Sequence, residues 1–143
     1  IAVPFEPHRA SITNIVYATE RRYNESSYLS QALWLAELYG AKLTVLHVRL
    51  DSDRSSEYHP SLQQWMERNS DANIEYQSLQ ARNAKEGIAD YLEEYTPDLL
   101  VMTTHTHSLA DRLFHNSVTR ATALHTTVPL LAFSQCLKPE QLP

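Results

Sequence analysis

Glycine is almost absent from this chain, which has only Gly40 and Gly87 among its 143 residues. Loops that cradle phosphates are usually rich in glycine, because a residue without a side chain lets the backbone approach the ligand closely. The composition therefore excludes a glycine-rich phosphate-binding loop anywhere in the sequence.

Cysteine, long apolar runs and basic clusters are also scarce or missing. The only cysteine, Cys136, cannot form an internal disulfide, so we expect a reducing compartment, the cytoplasm. No apolar stretch approaches the ~20 residues that span a bilayer, so no membrane partner is expected. A net charge of −5 without a basic run disfavours nucleic-acid binding.

Five β-rich apolar segments alternate with segments of helical periodicity. This alternation predicts an α/β fold, with one open five-stranded parallel sheet and helices on both of its faces. Helices are predicted after each of the first four strands, the last of them opening at Ser117. The predicted strands are Ile12–Thr19, Lys42–Arg49, Ile74–Leu79, Leu99–Met102 and Val128–Phe133.

Two of these helices carry clear end signals. Asn24 or Ser26 is expected to cap the first helix, and Gly40 is expected to end it in the left-handed conformation. Asn83 with Glu86 resembles a capping box at the start of the third helix. The apolar stripes expected to face the core are Leu29, Ala32, Leu33 and Ala36 in the first helix, and Ala84, Ile88, Leu92 and Tyr95 in the third.

Four segments together carry a family resemblance: NIVYATE, GAKLTVLHV, PDLLVM and NSVTRATALHTTVPLLAF. From Ile12 to Phe133 the chain resembles the universal stress protein (UspA-like) domain. The resemblance implies a Rossmann-like sheet with strand order 3-2-1-4-5. It also implies a ligand crevice past the carboxyl ends of strands 1 and 4, where that order reverses.

The family's nucleotide-binding motif keeps its spacing in this sequence but lacks its glycines. Relatives typically show Gly-x-x-Gly-x9-Gly-Ser/Thr after the fourth strand, and Thr103, Thr106 and Asn116 stand at the glycine positions, followed by Ser117. Threonine adds a β-branched side chain and does not readily adopt positive φ. We therefore expect no tight ATP binding, although Ser117 at a helix N-terminus could still hold an anion. The alternative is that Ser117 only caps its helix.

The resemblance also implies contacts to the rest of a nucleotide. Glu20 stands where relatives usually have a ribose-binding aspartate, and Val48 stands at the position beside adenine. The alternatives are an exposed glutamate at a strand end and an ordinary core valine. The complete set of candidate nucleotide-binding residues is Thr19, Glu20, Val48, Met102, Thr103, Thr106, Asn116, Ser117 and Val118.

The histidines after the fourth strand raise a metal hypothesis. His105, His107 and His115 could supply three zinc ligands. However, no cysteine or carboxylate completes a recognisable ligand motif, and a histidine at position 105 is common in the family. We therefore predict no metal site. No recognisable local signature of a catalytic triad is present either, so no enzymatic activity is predicted.

These observations lead to two functional hypotheses. The first is a non-enzymatic stress-response domain with a degenerate nucleotide site, which acts by dimerisation or domain pairing. Its predicted contact is Val128–Phe133, an apolar strand at a sheet edge. The alternative is a nucleotide-binding switch with at most slow ATPase or phosphotransfer activity. A ligand or metal sensor using the histidine-rich loop is a third option.

The predicted domain covers residues 12–133. Ile1–Pro4 is similar to Pro129–Phe133, which suggests that residues 1–11 are the end of a preceding, similar domain or a linker. The segment 134–143 has no periodicity and is expected to be a tail.

Overall fold

A computed structural model describes residues 11–19, 25–51, 60–104 and 128–134. Within these ranges the chain forms five strands and three helices. The predicted helix at Ser117 and the predictions for residues 1–10 and 135–143 lie outside the described residues. The elements are β1 (Asn14–Ala18), α1 (Ser26–Tyr39), β2 (Lys42–Leu50), α2 (Pro60–Arg68), β3 (Ile74–Ala81), α3 (Ala84–Tyr95), β4 (Leu99–Thr104) and β5 (Leu130–Ser134).

All five strands belong to one sheet in the order β3-β2-β1-β4-β5, and every adjacent pair is parallel. Right-handed crossovers then place α1 and α2 on one face and α3 on the other. The predicted fold class and strand order are confirmed. The strand limits shift by one or two residues, which is usual at element ends.

Apolar side chains of the central strands alternate between two cores. Ile15 and Tyr17 of β1 pack towards α1 and α2, whereas Val16 and Ala18 pack towards α3. Burial on both faces explains why these strands read as continuous apolar runs rather than alternating ones. Among the described helices, none combines the length and apolarity needed to cross a membrane.

The helix ends confirm some of the predicted signals and correct others. Gly40 ends α1 with φ of 64°, and the Asn83 side chain accepts a hydrogen bond from the Glu86 backbone N–H at 2.9 Å. The N-cap of α1 is Glu25, and no side-chain capping bond is formed there, so the prediction of Ser26 as N-cap is wrong.

The predicted core stripe of α3 is wrong at its C-terminal end. Tyr95 is 55% exposed, and Tyr91 is buried instead. Helical periodicity keeps residue 95 on the same face as residue 84, because the eleven residues between them complete about three turns. Tyr95 is, however, the last residue of α3, and its ring stacks on Tyr91 at the end of the helix, so Tyr91 is the tyrosine that the core covers.

A buried carboxylate fastens β1 to β4 at their amino-terminal ends. Oδ2 of Asp98 accepts hydrogen bonds from the Thr13 backbone N–H, the Thr13 hydroxyl and the Asn14 backbone N–H, each at 2.9 Å. The Asp98 backbone N–H in turn donates to the Asn14 carbonyl at 2.9 Å. These contacts fix the two strands that form the middle of the crevice described below.

Candidate functional site

The strand order reverses between β1 and β4, so the crevice at their carboxyl ends is the expected ligand position in an open α/β sheet. Tyr17 of β1 is paired with Val101 of β4. Two residues further along each strand, Thr19 and Thr103 therefore stand next to each other at the crevice. The structure thus brings together two of the predicted site residues.

The side chains of Thr19 and Thr103 lie on the α1 face of the sheet and are buried. The first turn of α1 lies above this part of the sheet. Within that turn, the Tyr28 ring stacks on Phe133 of β5 with ring centroids 6.1 Å apart, and Phe133 is the register partner of Thr103. The threonine pair is therefore covered by the start of α1.

Glu25 adds a carboxylate to this site that the sequence analysis did not identify. It is the N-cap of α1, only 5% exposed, and its Oε2 accepts a hydrogen bond from the Thr19 hydroxyl. A carboxylate at a helix N-terminus is favoured by the helix dipole. The signal available in the sequence was an acidic residue immediately before the first helical turn, but polar N-cap candidates on both sides of it obscured that signal.

Val48 and Met102 occupy the opposite face of the sheet. Met102 is fully buried in the core that faces α3, and Val48 packs at the edge of that core. The core-packing alternative for Val48 is therefore consistent with its position.

The backbone at Thr103 clarifies what a glycine would contribute at this position. Thr96 is the only non-glycine residue with positive φ among the described residues, so Thr103 adopts an ordinary strand conformation. Threonine therefore costs no left-handed strain here. Any effect of replacing glycine at this position must come from the space that its side chain fills.

The remaining predicted residues lie outside the described part of the chain: Glu20, Thr106, Asn116, Ser117, Val118 and the three histidines of the metal hypothesis. The prediction of no metal site is therefore untested at His105, His107 and His115. Within the described ranges, no group of three or more His, Cys, Asp or Glu side chains is arranged to hold a metal ion.

Comparison with known proteins was made on sequence and on structure. The profile of the universal stress protein family matches residues 11–134, which is most of the chain. No curated protein matches the sequence significantly. Solved structures of universal stress proteins do match the fold, at identities below those that would transfer a function.

Three of these structures show the identity and the structural similarity that the matches reach. A universal stress protein in complex with cAMP has 18% identity and a TM-score of 0.65, over 89% of this chain and 100% of that one. UspA from Lactobacillus plantarum has 19% identity and a TM-score of 0.61, over 87% and 99%. The Archaeoglobus fulgidus protein in complex with dAMP has 19% identity and a TM-score of 0.54, over 84% and 96%.

Proposed function

The chain belongs to the universal stress protein family, and we propose that it is a non-enzymatic member whose β1–β4 crevice binds an adenosine monophosphate weakly and disfavours ATP. The observation that carries this proposal is the buried Glu25 carboxylate, which is hydrogen-bonded to Thr19 at the carboxyl end of β1. A cytoplasmic location, expected from the low cysteine content, is part of the same proposal.

Two features support a monophosphate ligand. The similar structures with cAMP and dAMP hold nucleotides with a single phosphate. In this chain, the buried carboxylate of Glu25 brings negative charge to the crevice, and like charges placed close together in a partly buried site repel strongly. ATP without Mg²⁺ carries more negative charge than AMP or cAMP, so Glu25 should penalise free ATP more.

Titration calorimetry with AMP, cAMP and ATP, without and with Mg²⁺, tests this proposal directly. We expect measurable heats for at least one monophosphate and weaker binding of ATP, most clearly without Mg²⁺, which otherwise neutralises part of the phosphate charge. A dissociation constant for ATP in the low micromolar range, or ATP retained through purification, would contradict the proposal. Hydrolysis of ATP above the background rate would support the alternative of a slow ATPase.

The edge of the sheet at β5 supports the second part of the proposal, which is pairing with another copy or a similar domain. Leu130 is buried, and Leu131 and Phe133 are half-buried. The Leu100 backbone N–H donates to the Pro129 carbonyl, so residues 129, 131 and 133 direct their backbone groups to β4. The backbone groups of Leu130 and Ala132 therefore point away from β4, and no other strand of the described ranges pairs with this edge.

Substitution of Ala132 by proline tests this pairing, because it removes an outward N–H without removing a bond to β4. By sedimentation velocity, we expect the unmodified chain to dimerise with rising concentration and Ala132→Pro to stay monomeric. If both proteins remain monomeric at the highest concentration, pairing of isolated copies through β5 is wrong.

A further inference from the structure

A groove runs along the opposite edge of the sheet, between β3 and α3, and we call it the β3–α3 groove. It has a volume of about 440 Å³, within the size range of pockets that hold a small ligand or a single long side chain. Leu46 of β2, Leu79 of β3 and Gly87 of α3 form an apolar floor. This groove is on the far side of β2 from the β1–β4 crevice.

The helix side of the groove presents an aromatic pair. Tyr91 and Tyr95 stack with ring centroids 4.5 Å apart and planes inclined by 29°. Tyr91 is buried and its hydroxyl is hydrogen-bonded to the Thr44 side chain, so its ring is held in place. Tyr95 is 55% exposed and extends this wall towards solvent. Tyrosine faces attract cations.

The charges of the groove all have one sign. Among the described residues, Asp90 and Glu94, one turn apart on α3, are the only charged ones in its lining. Lys42 of β2 is paired with the Glu75 carboxylate. Carboxylates beside tyrosine rings suit a guanidinium group, which can donate two hydrogen bonds to a carboxylate and stack on an aromatic ring.

The strand side of the groove is a sheet edge. In the described part of the chain, β3 pairs with β2 alone. The Leu43 backbone N–H donates to the Asn73 carbonyl, and Leu43 is the register partner of Ile74. In a parallel ladder, the backbone groups of Glu75, Gln77 and Leu79 therefore face β2, and those of Ser78 and Gln80 point outward.

From the acidic, tyrosine-lined groove and the strand edge beside it, we propose that the β3–α3 groove binds an extended, arginine-containing segment of a partner protein. The segment adds as a strand to the outer edge of β3, and its arginine side chain enters the groove between Tyr95 and the carboxylates of Asp90 and Glu94. Edge addition supplies main-chain hydrogen bonds, and the groove supplies the preference for arginine. The proposal does not depend on nucleotide binding in the β1–β4 crevice.

A fluorescein-labelled heptapeptide of alternating arginine and valine is the probe, and fluorescence anisotropy is the measurement. Its controls are the same peptide with glutamine in place of arginine, and agmatine, which carries a guanidinium group without a peptide backbone. We expect saturable binding of the arginine peptide, at least tenfold weaker binding of the glutamine peptide, and no competition by agmatine at about 1 mM.

Matched variants separate the groove from general attraction to an acidic protein. Asp90→Asn with Glu94→Gln should weaken binding about tenfold, whereas Glu37→Gln with Glu93→Gln removes the same charge from exposed positions outside the groove and should change it little. Tyr95→Ala should weaken binding more than Tyr39→Ala, because Tyr39 is exposed to a similar extent (53%) but lies on α1.

Ser78→Pro tests the strand edge. It removes an outward N–H and leaves the ladder to β2 intact, so binding should be lost while the circular dichroism spectrum is retained. If that spectrum is lost instead, a peptide with N-methylated backbone takes its place and should not bind. Equal losses in both acidic double variants, full competition by agmatine, or no binding at about 1 mM peptide would each overturn the proposal.

Discussion

Asp98 and Glu25 are buried carboxylates at opposite ends of the strand pair β1 and β4, and they have different partners. Asp98 accepts two backbone N–H bonds and one hydroxyl bond at the amino-terminal end. Glu25 accepts a hydroxyl bond from Thr19 at the carboxyl end, where ligands bind in this fold. The comparison shows that Asp98 joins two strands, whereas Glu25 lies at the crevice, where the proposed function assigns it the selection of the ligand.

The largest expected effect is on stability at the Asp98 end. Asp98→Ala removes three hydrogen bonds of a buried carboxylate and leaves the partly buried N–H groups of Thr13 and Asn14 without their acceptor, so it should lower the free energy of unfolding by about 2–3 kcal/mol. Urea denaturation measures the loss, and Asp71→Ala at an exposed position is the control. A loss below about 1 kcal/mol would show that Asp98 does not fasten the strands.

The second prediction concerns Gly87, where α3 approaches the sheet most closely. A Cβ at this position would lie 2.6 Å from Cγ1 of Val48 and 3.0 Å from Cβ of Ala81. Gly87→Ala should therefore lower the free energy of unfolding by about 1–2 kcal/mol, despite the better helix propensity of alanine. Thermal unfolding followed by circular dichroism checks this, and unchanged or higher stability would show that α3 shifts easily.

The third prediction addresses the Glu25 end. Glu25→Gln keeps an acceptor for the Thr19 hydroxyl and removes the negative charge, so ATP without Mg²⁺ should bind up to about tenfold more tightly, equivalent to ~1.4 kcal/mol. AMP should gain less. Calorimetry measures both affinities, with Glu93→Gln as a control for net charge. Equal gains for AMP and ATP would remove Glu25 as the residue that discriminates between them.

The smallest effect is expected at Glu75, an exposed carboxylate at the β3 edge. The hydrogen bond from Lys42, together with that from Gln77, lowers the pKa of Glu75 from its usual 4.5. A lowered pKa in the folded state stabilises the fold above about pH 4.5, and this stabilisation is lost as the pH falls through the folded-state pKa.

The melting temperature of Glu75→Gln should accordingly be slightly below that of the unmodified protein at neutral pH and equal to it in acid. High salt should reduce the difference, because exposed ion pairs are screened. A difference that persists in acid would show that Glu75 acts through packing rather than charge.

Much of the fold could be predicted from the sequence because burial on two faces leaves a strong local signal. β1 and β4 contain continuous apolar runs, and Gly40 and Asn83 mark helix ends through their own backbone and side-chain chemistry. Tyr95 was misplaced because the helical period places it on the buried face, although it is the last residue of α3 and is exposed there.

The candidate site was less predictable, because its residues come from separate elements. Thr103 was predicted as a site residue because it stands at a glycine position of the family's motif. Only the packing of α1 over the sheet shows that its side chain is buried beside Thr19. The contact between Glu25 and Thr19 spans a loop and a helix start, and no local pattern encodes it.

The sequence by itself determined the fold class, since alternating apolar strands and amphipathic helices have few ways to bury both faces of a parallel sheet. The near absence of glycine also determined that no glycine-rich loop can cradle a phosphate. Only the tertiary structure decided that carboxylates lie at the β1–β4 crevice and in the β3–α3 groove. The Glu25–Thr19 contact joins the end of β1 to the start of α1, six residues further along the chain. The β3–α3 groove combines side chains of β2, β3 and α3, which are brought together by burial of the apolar residues beside them.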